Sequence, residues 1–250
     1  MPGKRPRTKA TRKPKRASGL YRTGGFKAIS AKRPELKFID IPQTQSQVPA
    51  VSPGAFGGSL VNGINQGTGQ YNRIGRLISS KYLEIKWCGA MSDADVLAFN
   101  PKRPFQVRVF VIIDHQCNGA APTISEMFAN NRYDGVASTN TMSQVNMQNR
   151  SRFTVLRDEL FTIGCNGAGN TLYGGEALLP EFFSAQPRTW KIDLKGLKTT
   201  YKSTGGGSLW TDVSTNSIWF GFFKDDQSST AGAANPISLN YTARLRYYDV

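Results

Sequence analysis

The sequence predicts an all-β fold, a single antiparallel sandwich or jelly roll with long loops, preceded by a disordered basic N-terminal arm. Three observations predict it. Six or seven segments alternate apolar and polar side chains with period two, as half-buried strands do. No segment carries a long apolar stripe of helical period. Charge is also unevenly placed: residues 1–33 hold twelve Lys or Arg and no acid, a net of +12, while the remaining 217 residues set 20 bases against 17 acids, a net of only +3.

Residues 1–33 combine high charge with few apolar side chains, so burial cannot offset the entropy of ordering them. The boundary is placed there, with a disordered arm over 1–33 and one folded domain over 34–250. Leu36, Phe38 and Ile41 make a short edge strand within 34–42, and the Gly-, Gln-, Ser- and Asn-rich stretch 43–72 reads as a long irregular connection. Leu83, Ile85 and Trp87 then alternate with Glu84 and Lys86. Phe105, Val107, Val109, Val111 and Ile113 form one face of the next strand, with Gln106, Arg108, Phe110 and Ile112 on the other. A polar insertion follows over roughly 114–150, where Thr123 and Glu126 match a capping box and predict a short helix over 124–130. Phe153 and Val155, then Phe161 and Ile163, flank what reads as a charged turn, Arg157-Asp158-Glu159. Trp190, Ile192 and Leu194 alternate with Lys191, Asp193 and Lys195, and Ile218, Phe220 and Phe222 follow. The last strand, 237–247, is the most regular: Leu239 and Leu245 face the core, and Arg244 and Arg246 lie on the opposite face. Its length, with no Gly or Pro after Pro236, predicts a central position flanked on both sides. No internal repeat is apparent.

Catalytic machinery is hard to find. His115 is the single histidine, which excludes His-rich metal sites, and His115 with Cys117 alone is a poor start for zinc. A Ser-His-Asp or Cys-His arrangement would have to use that same histidine, and no G-x-S-x-G surrounds any serine. The glycine-rich stretches at 67–72 and 167–172 each lack the third glycine of a dinucleotide fingerprint, and Gly196-Leu197-Lys198-Thr199 lacks the first glycine of a P-loop. The acid pairs Asp93/Asp95 and Asp225/Asp226 sit in polar loops and read as solvated turns. No enzyme activity, cofactor or metal is expected. Cys88, Cys117 and Cys165 are too few and too widely spaced for a disulfide framework and suit a reducing compartment. No apolar run is long enough to cross a bilayer as a helix, and the N-terminus lacks the apolar stretch of a signal peptide. Pro2, Pro6 and Pro14 would break the amphipathic helix of a transit peptide.

The arm is the strongest functional signal. Lys4, Arg5, Arg7, Lys9, Arg12, Lys13, Lys15, Arg16, Arg22 and Lys27 are the candidate nucleic-acid-binding residues, because neutralising phosphates releases counterions and gives strong, sequence-independent binding. Its second half interleaves Tyr21 and Phe26 with bases, which suits either stacking on unpaired bases or docking onto the domain. Lys4, Arg5 and Arg7, and again Lys13, Lys15 and Arg16, form two clusters of the nuclear-import type, implying a host import receptor as partner and a nuclear stage.

Residues 67–86 (GTGQYNRIGRLISSKYLEIK), above all Asn72-Arg73-Ile74-Gly75-Arg76 followed by Ile78, resemble the entry to the first core strand in capsid proteins of circular, Rep-encoding single-stranded DNA viruses, the circovirus-like group. Residues 152–161 resemble a second recurring segment of that family, and Ala243 to Asp249 its last strand. Each piece is short, and their order and spacing across the chain make the likeness. The resemblance implies an eight-stranded jelly roll, about sixty copies of which close into an icosahedral shell around single-stranded viral DNA, with the arms pointing inward and the virion as destination. Sixty arms of +12 would place roughly +720 inside such a shell. Small RNA-virus coat proteins share the plan, so the polymer could be RNA. A cellular nucleic-acid-binding protein with a basic extension is a further alternative, although such proteins usually spread their bases over the body as well.

Overall fold

The computed structural model describes residues 35–49, 56–91, 105–117, 119–129, 140–163, 165–166, 181–182, 187–202, 209–224 and 237–250. The basic arm and its boundary at 33/34 lie outside the described residues. Eleven strands are described: β1 (Leu36–Gln47), β2 (Gly57–Leu60), β3 (Leu77–Met91), β4 (Phe105–Asp114), β5 (Phe153–Ile163), β6 (Cys165–Asn166), β7 (Glu181–Phe182), β8 (Arg188–Tyr201), β9 (Val213–Thr215), β10 (Ser217–Lys224) and β11 (Ile237–Asp249). One α-helical turn, α1 (Ile124–Met127), and two short 3-10 turns complete the described elements. The fold is all-β.

Five strands form one sheet in the order β1-β11-β3-β8-β9, and four form a second in the order β2-β10-β4-β5; β6 and β7 make a separate two-stranded ribbon. Every strand pair is antiparallel. Setting the three shortest later strands aside, the pairing is nested: β1 with β11, β2 with β10, β3 with β8, and β4 with β5.

The principal core lies where the inner faces of the two sheets meet. Leu83, Ile85, Leu239, Tyr241 and Leu245 from the five-stranded sheet join Val107, Val109, Val111, Phe220 and Phe222 from the four-stranded sheet. A second apolar cluster lies on the opposite face of β4 and β10, where Phe110, Ile112, Trp219 and Phe223 meet Ile124, Met127 and Phe128 of the insertion. That double burial explains why β4 carries apolar residues on both faces and why β10 is buried along its whole length. Gly221 marks the close approach: a side chain there would fall on the Phe110 ring.

The final strand sits between β1 and β3, with Leu239 and Leu245 fully buried and Arg244 exposed, so the predicted central place and facing hold. β1 is an edge strand as expected, though it runs on to Gln47. Three expectations need correction. The supposed irregular stretch 43–72 contains the end of β1 and all of β2, whose sequence Gly-Gly-Ser-Leu has no alternation to announce it. The helix expected over 124–130 is a single turn; its capping box is present, but Phe128 leaves helical geometry (φ −119°, ψ 135°) and sends its ring into the second cluster. Arg157-Asp158-Glu159 is no turn but the middle of the continuous strand β5, where Asp158 meets Arg108 of the adjacent β4 and Glu159 meets Arg188 of β8 in the other sheet.

Candidate nucleic-acid interface

The ten arm residues expected to bind nucleic acid lie outside the described residues, as do Tyr21 and Phe26. What the described body shows is how it disposes of its own cations. Arg108, buried on β4, donates through Nε and Nη2 to both oxygens of Asp158 (2.8 and 2.5 Å). Its Nη1 donates to the carbonyl of Thr141 (3.2 Å) and to that of Ser143, and its guanidinium stacks 4.0 Å from the Phe128 ring centre. Arg152 forks onto Asp114 (3.0 and 3.0 Å) and reaches Glu126 (2.8 Å). Its hydrogen bonds to Asp114 hold the guanidinium's pKa above the ordinary arginine value. Partial burial works to raise the Glu126 pKa, but the Thr123 backbone N–H and Arg152 outweigh it, so the carboxyl stays below the ordinary range. Arg188 pairs with Glu159, Lys86 approaches Glu84 (3.8 Å), and Arg244 forks onto Asp40 (2.7 and 2.7 Å). These pairs neutralise Arg108, Arg152, Arg188 and Arg244 where they stand.

One face differs. On the outside of the five-stranded sheet, register places Asp40, Arg244, Glu84 and Lys191 in a row across β1, β11, β3 and β8, an alternation of charge. The next row reads Phe38, Arg246, Tyr82, Asp193. The Arg246 guanidinium lies 6.0 Å from the Phe38 ring centre and 5.7 Å from that of Tyr82. It has no ion-pair partner among the described residues, and its Nε is buried without a hydrogen bond. Beyond it, Lys81 stands at the bulge in β3, its Nζ 5.9 Å from the Tyr248 ring.

Tyr71 completes this face by packing edge-on against Phe38, ring centres 5.0 Å apart, while remaining half exposed. It is carried by the turn over 65–76, whose rigidity has identifiable sources. Arg73 is fully buried, donating to the carbonyls of Ile64 (3.1 Å) and Gly75 (2.6 Å) and lying 4.1 Å from the Tyr201 ring. Lys37, on the inward face of β1, donates to the Asn72 carbonyl (2.9 Å) and pairs with Asp249 (2.6 Å), whose other oxygen accepts from the Ile74 N–H (3.3 Å). Gly67 gives the Asn72 side chain room: an added Cβ would meet its amide nitrogen at 2.6 Å and displace it. Burial raises the pKa of Tyr201 and of Tyr247 behind this turn.

His115 serves as a tie between strands: Nδ1 donates to Asn216 Oδ1 (2.5 Å) and Nε2 meets Thr154 Oγ1 (2.8 Å). Cys88 and Cys117 are free thiols, and burial raises the Cys117 pKa. Gly196 lies inside β8 at φ 77°, in a strand rather than before a helix. Among the described residues no three His, Cys, Asp or Glu side chains are grouped to hold a metal, and no helix is long and apolar enough to cross a membrane. Sequence reading placed Arg244 and Arg246 on the outer face but missed Phe38, Tyr71 and Tyr82 as their neighbours. The alternation within each strand was visible; the register between β1, β11 and β3 was not.

No protein-family model and no curated protein matches the chain. Among solved structures, it is similar to the 60-mer BFDV capsid protein with a TM-score of 0.28 and 8% sequence identity, over 86% of this chain and 92% of that one. A likeness that remote leaves the strand pairing and the charge distribution to speak for themselves.

Proposed function

We propose that this chain is a viral coat protein, a jelly-roll subunit that assembles with its own copies into a closed shell and packages single-stranded nucleic acid through its N-terminal arm. The observation that carries this reading is the charge division: +12 with no acid over residues 1–33, ahead of a body of net +3. A polyanion is the partner such a segment requires. The body supports the reading in two ways. Its nested antiparallel pairing, first strand with last and second with second-last, is what a long hairpin acquires on rolling into two Greek keys, the plan of an eight-stranded jelly roll. Several of its cations, Arg108, Arg152, Arg188 and Arg244 among them, are held in internal ion pairs, which suits a body that leaves general phosphate binding to the arm.

The resemblance of residues 67–86, 152–161 and 243–249 to capsid proteins of circular, Rep-encoding viruses supports single-stranded DNA as the polymer and the virion as the destination. The same arm, through Lys4, Arg5, Arg7, Lys13, Lys15 and Arg16, engages a host import receptor before packaging, so the protein passes through the nucleus. The role is structural rather than catalytic. The test is to express the full chain with the ten arm bases changed to Gln and to weigh the nucleic acid that copurifies. Loss of most of it is expected. Nucleic-acid content equal to the parent's would contradict the role given to the arm.

A further inference from the structure

The aromatic and guanidinium face at the β1, β11 and β3 end of the five-stranded sheet lies outside both apolar core clusters, and the packaging role rests on residues outside it. We propose that it is a second nucleic-acid contact, a platform on which single-stranded nucleic acid stacks a base on Tyr71 and Tyr82 and sets a phosphate on Arg246. The inference rests on the packaging function proposed above and gives the folded body a part in it.

Three observations select this occupant. Arg244 and Arg246 both project from β11, yet only Arg244 is answered by a carboxylate, Asp40 (2.7 Å); Arg246 is held between the rings of Phe38 and Tyr82 with no ion pair among the described residues. A guanidinium beside aromatic rings, with N–H groups unspent, is suited to a phosphate or the edge of a base. Tyr71 exposes half its surface on a turn that Arg73, Lys37 and Asp249 fix, so the ring is held in place and its ordering cost on binding is reduced. A flat, sequence-tolerant ring surface beside a cation is what unpaired bases use. Finally, β1 begins at Leu36, opposite Tyr248, and the segment ahead of it in sequence carries +12, which itself calls for a polyanion.

The acids in this row and the one beside it set the scale of the contact. Asp40, Glu84 and Asp193 lie on the same face and disfavour a dense run of phosphates. The platform therefore takes about one or two nucleotides of a single strand rather than a length of duplex.

The full chain, incubated with a single-stranded oligonucleotide bearing 5-iodouracil and irradiated, should yield adducts on the peptides containing Tyr71 and Tyr82. At high salt, where binding by the arm is screened, affinity should fall for an abasic oligonucleotide of the same charge, and for Tyr71→Ala and Arg246→Gln by about fivefold or more. Tyr71 is half exposed, so its replacement leaves the core untouched. Adducts confined to residues 1–33, or equal affinity for normal and abasic strands, would overturn this platform while leaving the arm's role standing. Variants that cross-link normally but form fewer particles would assign the face to a second copy of the chain instead. No binding at low salt would overturn the packaging function itself.

Discussion

Leu245 has no exposed surface and lies opposite Ile39 on one side and Leu83 on the other. Truncating it to Ala should cost about 2–5 kcal/mol in urea unfolding of the unassembled subunit. Leu245→Asp should cost more, since a charge would enter the core without a partner. Arg244→Gln, at an exposed surface pair, should change stability little. If Leu245→Asp unfolds at the parent's urea midpoint, the facing of β11 is wrong. Glu126 offers a test in pH. Its carboxyl titrates below the ordinary range in the folded chain because the Thr123 N–H and Arg152 favour the anion more than partial burial opposes it. The stabilisation is therefore fully present above the unfolded pKa, about 4.3, and is lost as pH falls through the lower folded value. The melting temperature of the parent should exceed that of Glu126→Gln at neutral pH, and the two should converge in strong acid. A gap that widens in acid would contradict the capping geometry. Gln is the apt replacement because it can still accept from the Thr123 N–H.

Among the elements, those announced by alternation were legible and those built by tertiary contact were not. β11 was recognisable down to its central place, because six alternating apolar positions are poorly accommodated at an exposed edge. β5 misled because Arg157, Asp158 and Glu159 look like a turn until Arg108 and Arg188, distant in sequence, are seen to answer the acids. β2 gave no local sign; its pairing with β10 depends on Gly57 and Gly58 lying against Phe222 and Phe220. The insertion after β4 shows the same division. Its capping box was visible in Thr123 and Glu126, whereas its anchoring by Arg108 and Arg152 to the outer face of the four-stranded sheet was not. Removing Arg108 as Ala would leave Asp158 without its partner and the carbonyls of Thr141 and Ser143 without their donor, at a cost on the order of 3 kcal/mol. Hydrogen exchange should then rise first over the described part of the insertion, 140–149. Exchange that rises evenly across both sheets would show that Arg108 supports the whole body instead.

At the scale of the molecule, the division of labour is a matter of where charge is left unanswered. The body answers several of its cations with carboxylates and carbonyls, and its two sheets close over one shared core. The proposed arm site was legible from composition alone, since twelve bases without an acid require no register to be noticed. The Arg246 platform was legible only after β1, β11 and β3 were aligned, because its residues are separated by up to about two hundred positions in the chain. The central claim is that copies of this chain enclose a nucleic acid in a shell, and particle mass tests it most directly. Purified full-length protein, examined by sedimentation together with electron microscopy, should form closed particles of about 1.6 MDa, the mass of roughly sixty subunits of 27.5 kDa, with nucleic acid inside. Protein that remains a monomer or a small oligomer in the presence of single-stranded nucleic acid would contradict it.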